Sequence, residues 1–230
     1  MSAALVVCAH GTRDPLGRRT VADLVSAVAA RLPGVVVHEA YVDVHGPEVA
    51  DVVAALPVAP GPGPSAVVVP LLLAAGYHVR VDLAEAVEGR PDVVVTGALG
   101  PDDRLVELVL ERLAEAAVSP DAAVVLVPAG SSDERAQADS RETARRLGER
   151  TGSTVRVAYA AGPRPPVACG VTVARVEGAS SVALASYLLA PGYFQRKIEG
   201  SGADVVTGPL LPHPRIVEIV LDRYREALGA

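Results

Sequence analysis

The sequence has few aromatic residues: only 3% of its 230 residues are aromatic, with no Trp and a single Phe. Apolar volume in a core must therefore come from Val, Leu and Ala, and a platform on which bases stack is not expected. Long apolar runs are also missing. The longest stretch without charge contains Pro60-Gly61-Pro62-Gly63-Pro64, which would break a membrane-spanning helix, so we expect no membrane partner.

Cysteines and basic clusters are scarce as well. Cys8 and Cys169 are too few for a disulfide framework or a four-Cys metal site. The net charge is −6 and no Lys/Arg block is present, which disfavours nucleic acid as a partner. Met1 leads into the apolar Leu5-Val6-Val7 without a basic segment, so we expect no signal peptide and a cytoplasmic protein.

Short Val-rich runs recur along the chain, each bounded by turn residues. They are continuously apolar rather than alternating, which is typical of parallel strands covered on both faces. Segments with helical spacing lie between them, so the sequence predicts an α/β fold with doubly wound, flavodoxin-like parallel sheets. The predicted strands are roughly Ala4–Ala9, Val35–Tyr41, Ala66–Leu72, Val93–Thr96, Ala122–Val127, Thr154–Tyr159, Ser181–Leu188 and Val205–Thr207.

The chain also contains an internal repeat. Residues 94–113 and 205–224 are identical at 12 of 20 positions at an offset of 111. Residues 9–12 match 128–131, and residues 72–78 match 188–194. Three ordered matches indicate a duplicated half, so we expect two tandem domains, residues 1–118 and 119–230.

The two copies differ at two histidines. His10 and His78 of the first copy correspond to Ala129 and Phe194 of the second, although the neighbouring turn glycines are kept. A single histidine after a strand would fit a turn or capping residue. Two imidazoles that occur in one copy only indicate a joint chemical role for His10 and His78.

Three side chains follow the first three predicted strands and could meet at one edge of a sheet. His10 follows strand 1, Asp43 follows strand 2, and His78 follows strand 3 and its turn. Strands 1 and 3 are neighbours in a flavodoxin-like order, and ligands bind beyond the carboxyl ends of such strands. Two imidazoles and a carboxylate suit a first-row divalent metal and can also take up protons.

The remaining candidates have structural explanations. For Asp43, turn chemistry and metal contact are both open. His45 is expected to be an exposed loop residue, with an auxiliary ligand as the alternative. His38 and His213 are interpreted as structural, and Cys8 is expected to face the core.

The loop after His10 is a candidate anion site. Gly11, Thr12 and Arg13 precede the first predicted helix, where backbone N–H groups and the guanidinium could bind a carboxylate or phosphate. Arg18, Arg19 and Arg80 add positive charge, although each also fits a solvated surface residue. The glycine spacing matches neither a Walker A motif nor a dinucleotide fingerprint, so no organic cofactor is predicted.

Several segments of the first half resemble those of one family: His10-Gly11-Thr12-Arg13, Pro70-Leu71-Leu72-Leu73, Gly76-Tyr77-His78-Val79 and Asp82. Together they resemble the sirohydrochlorin chelatases, class II chelatases related to ferrochelatase. The resemblance covers the whole chain, since the long members are two fused flavodoxin-like halves and the short members are homodimers. It therefore also implies a monomeric pseudo-dimer.

The resemblance implies a lyase that inserts Co2+ or Fe2+ into sirohydrochlorin without ATP, in sirohaem or cobalamin biosynthesis. The divalent metal is a substrate in this reaction. By family analogy, His10 and His78 bind the metal and accept pyrrole protons, with Asp43 as third ligand where the family often has Glu. The substrate-binding residues implied are Gly11, Thr12, Arg13, Leu71, Leu72, Leu73, Gly76 and Tyr77; Arg13 would meet carboxylates and the leucines would line an apolar cleft.

Two other functions remain open at this point. The same cleft could serve a non-catalytic carrier of metal or tetrapyrrole. Alternatively, another metal-dependent enzyme could use the same sheet, for example a phosphoesterase with Arg13 as its anion clamp.

Overall fold

The computed structural model describes residues 2–58, 63–74 and 76–229, and within these ranges it leaves aside the side chains of residues 77–80. The chain divides into two compact units. The first comprises the residues up to Leu99 together with those from Leu211 on, and the second comprises Gly100–Leu210.

Strands and helices alternate along the chain. The strands are β1 Ala4–Ala9, β2 Val37–Tyr41, β3 Ala66–Pro70, β4 Val93–Val95, β5 Ala123–Pro128, β6 Arg156–Val157, β7 Val182–Tyr187 and β8 Val205–Val206. The helices are α1 Pro15–Ala30, α2 Val49–Ala55, α3 Tyr77–Ala86, α4 Asp103–Glu115, α5 Glu134–Thr151, α6 Val167–Val176, α7 Tyr193–Glu199 and α8 Pro214–Ala227. Each predicted strand is present, and most are shorter than predicted.

Each unit contains one four-stranded parallel sheet. The order is β2-β1-β3-β4 in the first unit and β6-β5-β7-β8 in the second. In the first sheet Cys8 of β1 lies opposite Ala40 of β2 and Pro70 of β3. The predicted fold class is therefore confirmed, and β1 lies between β2 and β3 as the site prediction requires.

The central strands of each sheet are apolar for most of their length, whereas the edge strands β2 and β6 contain His38, Glu39 and Arg156. The central strands are almost fully buried, and Val6, Cys8 and Val68 pack in one core with helix residues such as Val53 and Leu83. Burial in this core raises the pKa of the Cys8 thiol to about 12, since the thiolate would lose its hydration. The expectation that Cys8 faces the core is confirmed.

The last helix of each repeat belongs to the compact unit of the other repeat. In the first unit, Tyr224 of α8 donates its hydroxyl to the carbonyl of Ala3 at 2.6 Å. Arg223 of α8 donates through Nε to the carbonyl of Ala98 at 3.1 Å. In the second unit the equivalent Arg112 of α4 donates through Nε to the carbonyl of Pro209 at 2.9 Å. The predicted domain boundary between residues 118 and 119 describes the sequence repeat, and as a boundary between domains it stays a prediction.

The helices in the described residues are short or carry charged side chains. None of these described helices is both long enough and apolar enough to cross a membrane.

Candidate active site

The candidate site is built from the loops that leave the carboxyl ends of three neighbouring strands. β1 leads into residues 10–14 before α1, β2 leads into residues 42–48 before α2, and β3 leads into residues 71–76 before α3. Because β1 is paired with both β2 and β3, these loops emerge side by side at one edge of the sheet.

The backbone joins the loops of His10 and Asp43. The N–H of Asp43 donates to the carbonyl oxygen of His10 at 3.0 Å, and the N–H of Val42 donates to that of Ala9 at 2.9 Å. The side chains of His10 and Asp43 are both exposed. The structure thus brings the loops of two of the three predicted ligands into direct contact and leaves both side chains open to solvent.

Gly11 allows this close approach. Its φ is +106°, and a Cβ atom at this position would lie 2.1 Å from the carbonyl oxygen of Asp43. Any other residue would push the Asp43 loop away, besides adopting an unfavourable backbone conformation. Gly11 therefore shapes the site through the backbone.

The carboxylate of Asp43 takes part in the turn that carries it. One oxygen, Oδ1, accepts from the N–H of Val44 at 2.5 Å, and the carbonyl of Asp43 accepts from the N–H of His45 at 2.9 Å. Turn chemistry is thus present at Asp43. A carboxylate has two oxygens with about four lone-pair positions, so this bond leaves acceptor capacity for a ligand.

Asp14 and Thr12 shape the start of α1. Asp14 caps the helix by accepting from the N–H groups of Leu16 at 2.9 Å and Gly17 at 3.1 Å, and Thr12 Oγ1 accepts from the N–H of Asp14 at 3.1 Å. These helix N–H groups already have an acceptor. An anion at this loop would therefore depend on Arg13, which is exposed and forms no ion pair with another described residue.

The segment after β3 contributes apolar side chains and the start of α3. Leu71 is buried, with 3% exposure, and belongs to the core, whereas Leu72 and Leu73 are half-buried. Gly76 is the N-cap of α3, so Tyr77 and His78 are its first two residues. The side chains of Tyr77 and His78 lie outside the described part of the structure.

His45 differs from the sequence expectation of an exposed loop residue. Its ring is half-buried and lies 3.9 Å from the ring of Tyr41, and its Nδ1 lies 3.1 Å from the carbonyl of Gly46. The Tyr41 hydroxyl donates to Glu39, and burial is the main cause that raises the pKa of Tyr41. His45 thus packs against β2 because the turn folds its ring back onto Tyr41.

His213 was expected to be structural, and its contacts agree. It caps α8, where its Nδ1 accepts from the N–H of Arg215 at 3.2 Å. His38 lies half-buried in β2.

His, Cys, Asp and Glu are the residues whose side chains would hold a metal ion. In the described part of the structure, no group of three or more of these residues is placed to do so. The predicted set of His10, Asp43 and His78 includes a side chain outside that part, so the set stays a prediction.

Comparison with protein families identifies the family of this chain. The sequence profile of the CbiX family matches residues 4–116 and, a second time, residues 123–227. The two matches cover nearly the whole chain and coincide with the duplication. The chain belongs to the CbiX family. This is the family of sirohydrochlorin chelatases that the motifs of the first half resemble, so that expectation is confirmed.

Solved structures agree with a full-length CbiX-type fold. SirB from Bacillus subtilis with Fe3+ is 22% identical, with a TM-score of 0.82, over 100% of this chain and 96% of that chain. SirB from Bacillus subtilis subspecies spizizenii in complex with cobalt is 21% identical, with a TM-score of 0.79, over the same shares. CbiX, described as the terminal enzyme of siroheme biosynthesis in denitrifying bacteria, is 18% identical, with a TM-score of 0.70, over 98% and 99% of the two chains. No curated protein matches the sequence.

The second CbiX repeat preserves the loops but has alanine in place of the polar side chains of His10 and Asp43. The N–H of Ala161 donates to the carbonyl of Ala129 at 2.8 Å, and Gly130 has a φ of +107°. A Cβ at Gly130 would lie 1.9 Å from the carbonyl oxygen of Ala161. Ala161 is therefore the counterpart of Asp43, a correspondence that the sequence comparison missed.

A signal for this correspondence is present in the sequence. Tyr41 and Pro47 bracket the first loop, and Tyr159 and Pro165 bracket the second at the same offset of 118. In both loops the tyrosine N–H donates to the proline carbonyl, at 2.9 Å.

The second unit also contains an open cavity beside α5 and β6. Two of its arginines are already paired, Arg141 with Glu134 at 2.5 Å and Arg145 with Glu142 at 2.8 Å. It contains none of the residues predicted for the site. Its lining residues are Arg141, Ala144, Arg145, Gly148, Glu149, Gly152, Ser153, Thr154, Val155, Val157, Tyr159, Arg164 and Pro165.

Proposed function

We propose that this chain inserts a divalent metal ion, Co2+ or Fe2+, into sirohydrochlorin without ATP. One observation carries the proposal: two loops with the same backbone contacts differ in their polar side chains. The first has His10 and Asp43 where the second has Ala129 and Ala161. The loop fold does not need the polar groups, so we assign them to chemistry.

The proposed chemistry is an exchange of two protons for one metal ion. Two pyrrole N–H bonds break, their protons pass to bases and then to water, and the nitrogens bind the incoming metal. A neutral imidazole can serve as ligand and as proton acceptor near neutral pH. We assign these roles to His10 and His78, with Asp43 as an oxygen ligand. No oxidant or organic cofactor is required.

The charges at the start of α1 fit an acidic substrate. Arg13, Arg18 and Arg19 flank the loop of the first repeat. At the offset of 119, which relates residues 9–12 to 128–131, the second repeat has Ser132, Gln137 and Ala138 instead. The first turn of α1 contains no acidic residue, whereas that of α5 contains Glu134. We propose that Arg13 binds a peripheral carboxylate of the macrocycle.

The half-buried Leu72 and Leu73 would contact the apolar part of the ring system, and we propose that Gly76 and Tyr77 lie beside it. Leu71, being buried, would support this surface from below. We also propose a cytoplasmic location. We propose a monomer as well, because one chain carries both copies of the repeat. Size-exclusion chromatography with light scattering tests the monomer.

The test is anaerobic mixing of the purified protein with sirohydrochlorin and Co2+ or Fe2+ in turn, followed by absorbance. We expect insertion by the wild type, loss in His10→Ala, His78→Ala and Asp43→Ala, and retention in Asp43→Glu. His38→Gln, a change within β2, is the control that keeps activity. Binding of metal or tetrapyrrole without turnover would point to a carrier, and phosphate-ester hydrolysis without insertion would point to a different enzyme.

A further inference from the structure

Val44 adopts a backbone conformation that is unfavourable for its residue type. Its φ is +73°, and among the described residues the only other non-glycine residue with positive φ is Ala117, at +51°. A β-branched residue in this region is a genuine outlier, because its side chain crowds the backbone. Such strain persists only where something else favours the residue.

The second repeat builds the same turn with glycine. Position 162 corresponds to position 44 at the offset of 118 that relates the two loops, and Gly162 has a φ of +74°. The turn itself therefore does not need a valine. The strained side chain occurs in the repeat that has His10 and Asp43, and glycine occurs in the repeat that has alanine at both positions.

The side chain of Val44 lies at the candidate site. Its Cβ is 3.2 Å from the position that a Cβ of Gly11 would occupy, so it stands over the loop that follows His10. Its backbone N–H donates to Asp43 Oδ1 at 2.5 Å. The residue is nevertheless 40% exposed. Its side chain is therefore open to a ligand beside Asp43 and the loop that follows His10.

A second exposed aliphatic residue lies at the start of α1. Leu16 is 60% exposed, and the second repeat has Arg135 at the corresponding position. Arg18, in the first turn of the same helix, contacts the preceding loop: its Nε donates to the carbonyl of Thr12 at 2.8 Å. The first repeat thus presents apolar groups at this edge that the second repeat lacks.

We propose that Val44 is a substrate-contact residue whose methyl groups pack against the apolar face of the tetrapyrrole. This inference rests on the proposed function. A valine side chain offers only apolar contact, so the group it meets consists of ring carbons rather than carboxylates. The contact holds the macrocycle beside His10 and Asp43 without occupying the imidazole or the remaining acceptor positions of the carboxylate.

The test is Val44→Gly, because strain and substrate contact predict opposite effects of this change. Glycine relieves the backbone, so we expect a Tm no lower than that of the wild type. Loss of the apolar contact should raise the KM for sirohydrochlorin by about fivefold to tenfold. The affinity for Co2+ alone should stay unchanged, since glycine keeps the N–H that bonds to Asp43.

Two variants serve as matched controls. Ala117→Gly relieves the other positive φ, in the loop after α4, and should change neither KM nor Co2+ affinity. Gly162→Val places the strained residue in the second repeat and should lower Tm without changing KM.

The outcomes separate this inference from the proposed function. If the wild type inserts metal and Val44→Gly has an unchanged KM, Val44 does not contact the substrate. If Val44→Gly lowers Tm markedly, Val44 is a packing residue and the inference is also overturned. If the wild type binds Co2+ through His10 but inserts no metal, the proposed function fails. In that case the Val44 contact is tested by binding of metal-free sirohydrochlorin alone. Equal affinities of the wild type and Val44→Gly would then reject the contact as well.

Discussion

The N–H of Asp43 donates to the carbonyl oxygen of His10 at 3.0 Å, and the N–H of Ala161 donates to that of Ala129 at 2.8 Å. Two candidate functional residues and two alanines thus sit on the same backbone arrangement. The second repeat is an internal control for the first, since it shows how these loops are built without His and Asp.

This relationship predicts that His10→Ala and Asp43→Ala leave the fold intact. The second repeat shows that alanine is compatible with both positions, so we expect each variant to keep its free energy of unfolding within about 0.5 kcal/mol. Metal insertion should be lost in both. Denaturant unfolding followed by circular dichroism measures the first effect and the absorbance assay the second. A large loss of stability in either variant would show that the side chain is structural.

Substitution of the loop glycines, Gly11 and Gly130, should have the opposite effect and lower the stability of the fold. In Gly11→Ala the new Cβ would meet the carbonyl oxygen of Asp43, so we expect a loss of stability of about 3 kcal/mol or more. Gly130→Ala should be equally destabilising. Gly34→Ala is a matched control, because Gly34 also has a positive φ, +84°, but no atom within 4 Å of the added Cβ. Equal, small effects in all three would mean that the loops move easily.

The fold could be predicted from the sequence because the evidence for it is local. Continuous Val runs such as Val67–Val69 identify buried parallel strands, and the repeat implies two sheets of the same order. The spacing of His10 and Asp43 after β1 and β2 placed them at one edge of a sheet. That placement follows from chain direction alone and needs no side-chain detail.

The packing of the last helix could not be predicted, because the repeat is symmetrical in sequence. Arg112 and Arg223 occupy equivalent positions in the two repeats. The carbonyls that accept their hydrogen bonds, those of Pro209 and Ala98, are also equivalent to each other. Identical residues therefore do not reveal which sheet a helix joins. The conformation of Val44 was equally hidden, since no propensity predicts a positive φ for valine.

The pair of Arg90 and Asp92 predicts acid sensitivity of the first unit. Arg90 donates to both oxygens of Asp92, at 3.0 and 2.9 Å, and to the carbonyl of Val53 at 2.6 Å. Its guanidinium is the main cause that holds the pKa of Asp92 well below its ordinary value, and Ser65 adds a further hydrogen bond.

A lowered pKa in the folded state means that the unfolded chain binds the proton first. The contribution of Asp92 to stability is therefore present above the ordinary pKa of about 4 and is lost as the pH falls below it. We expect Asp92→Asn to lower Tm at pH 7 and the difference from the wild type to shrink between about pH 4 and pH 2. Thermal scans across this range measure it, with Asp121→Asn as an exposed control. A difference that is constant with pH would show that the charge of Asp92 is not involved.

The last helix of each repeat belongs to the compact unit of the other repeat, and this arrangement predicts which fragments fold alone. The second compact unit, Gly100–Leu210, contains its whole sheet and α4, so we expect a fragment of residues 100–210 to unfold cooperatively. A fragment of residues 1–118 lacks α8, whose buried Ile216, Val220 and Tyr224 face the first unit. Each such side chain contributes about 1.5–3 kcal/mol when buried, so the loss of several together is comparable to the whole stability of about 5–15 kcal/mol of a domain. The fragment of residues 1–118 should therefore be unfolded or aggregated, and adding a peptide of residues 211–230 should restore structure. Circular dichroism and amide NMR dispersion measure both effects; a folded fragment of residues 1–118 would instead support a domain boundary at residue 118.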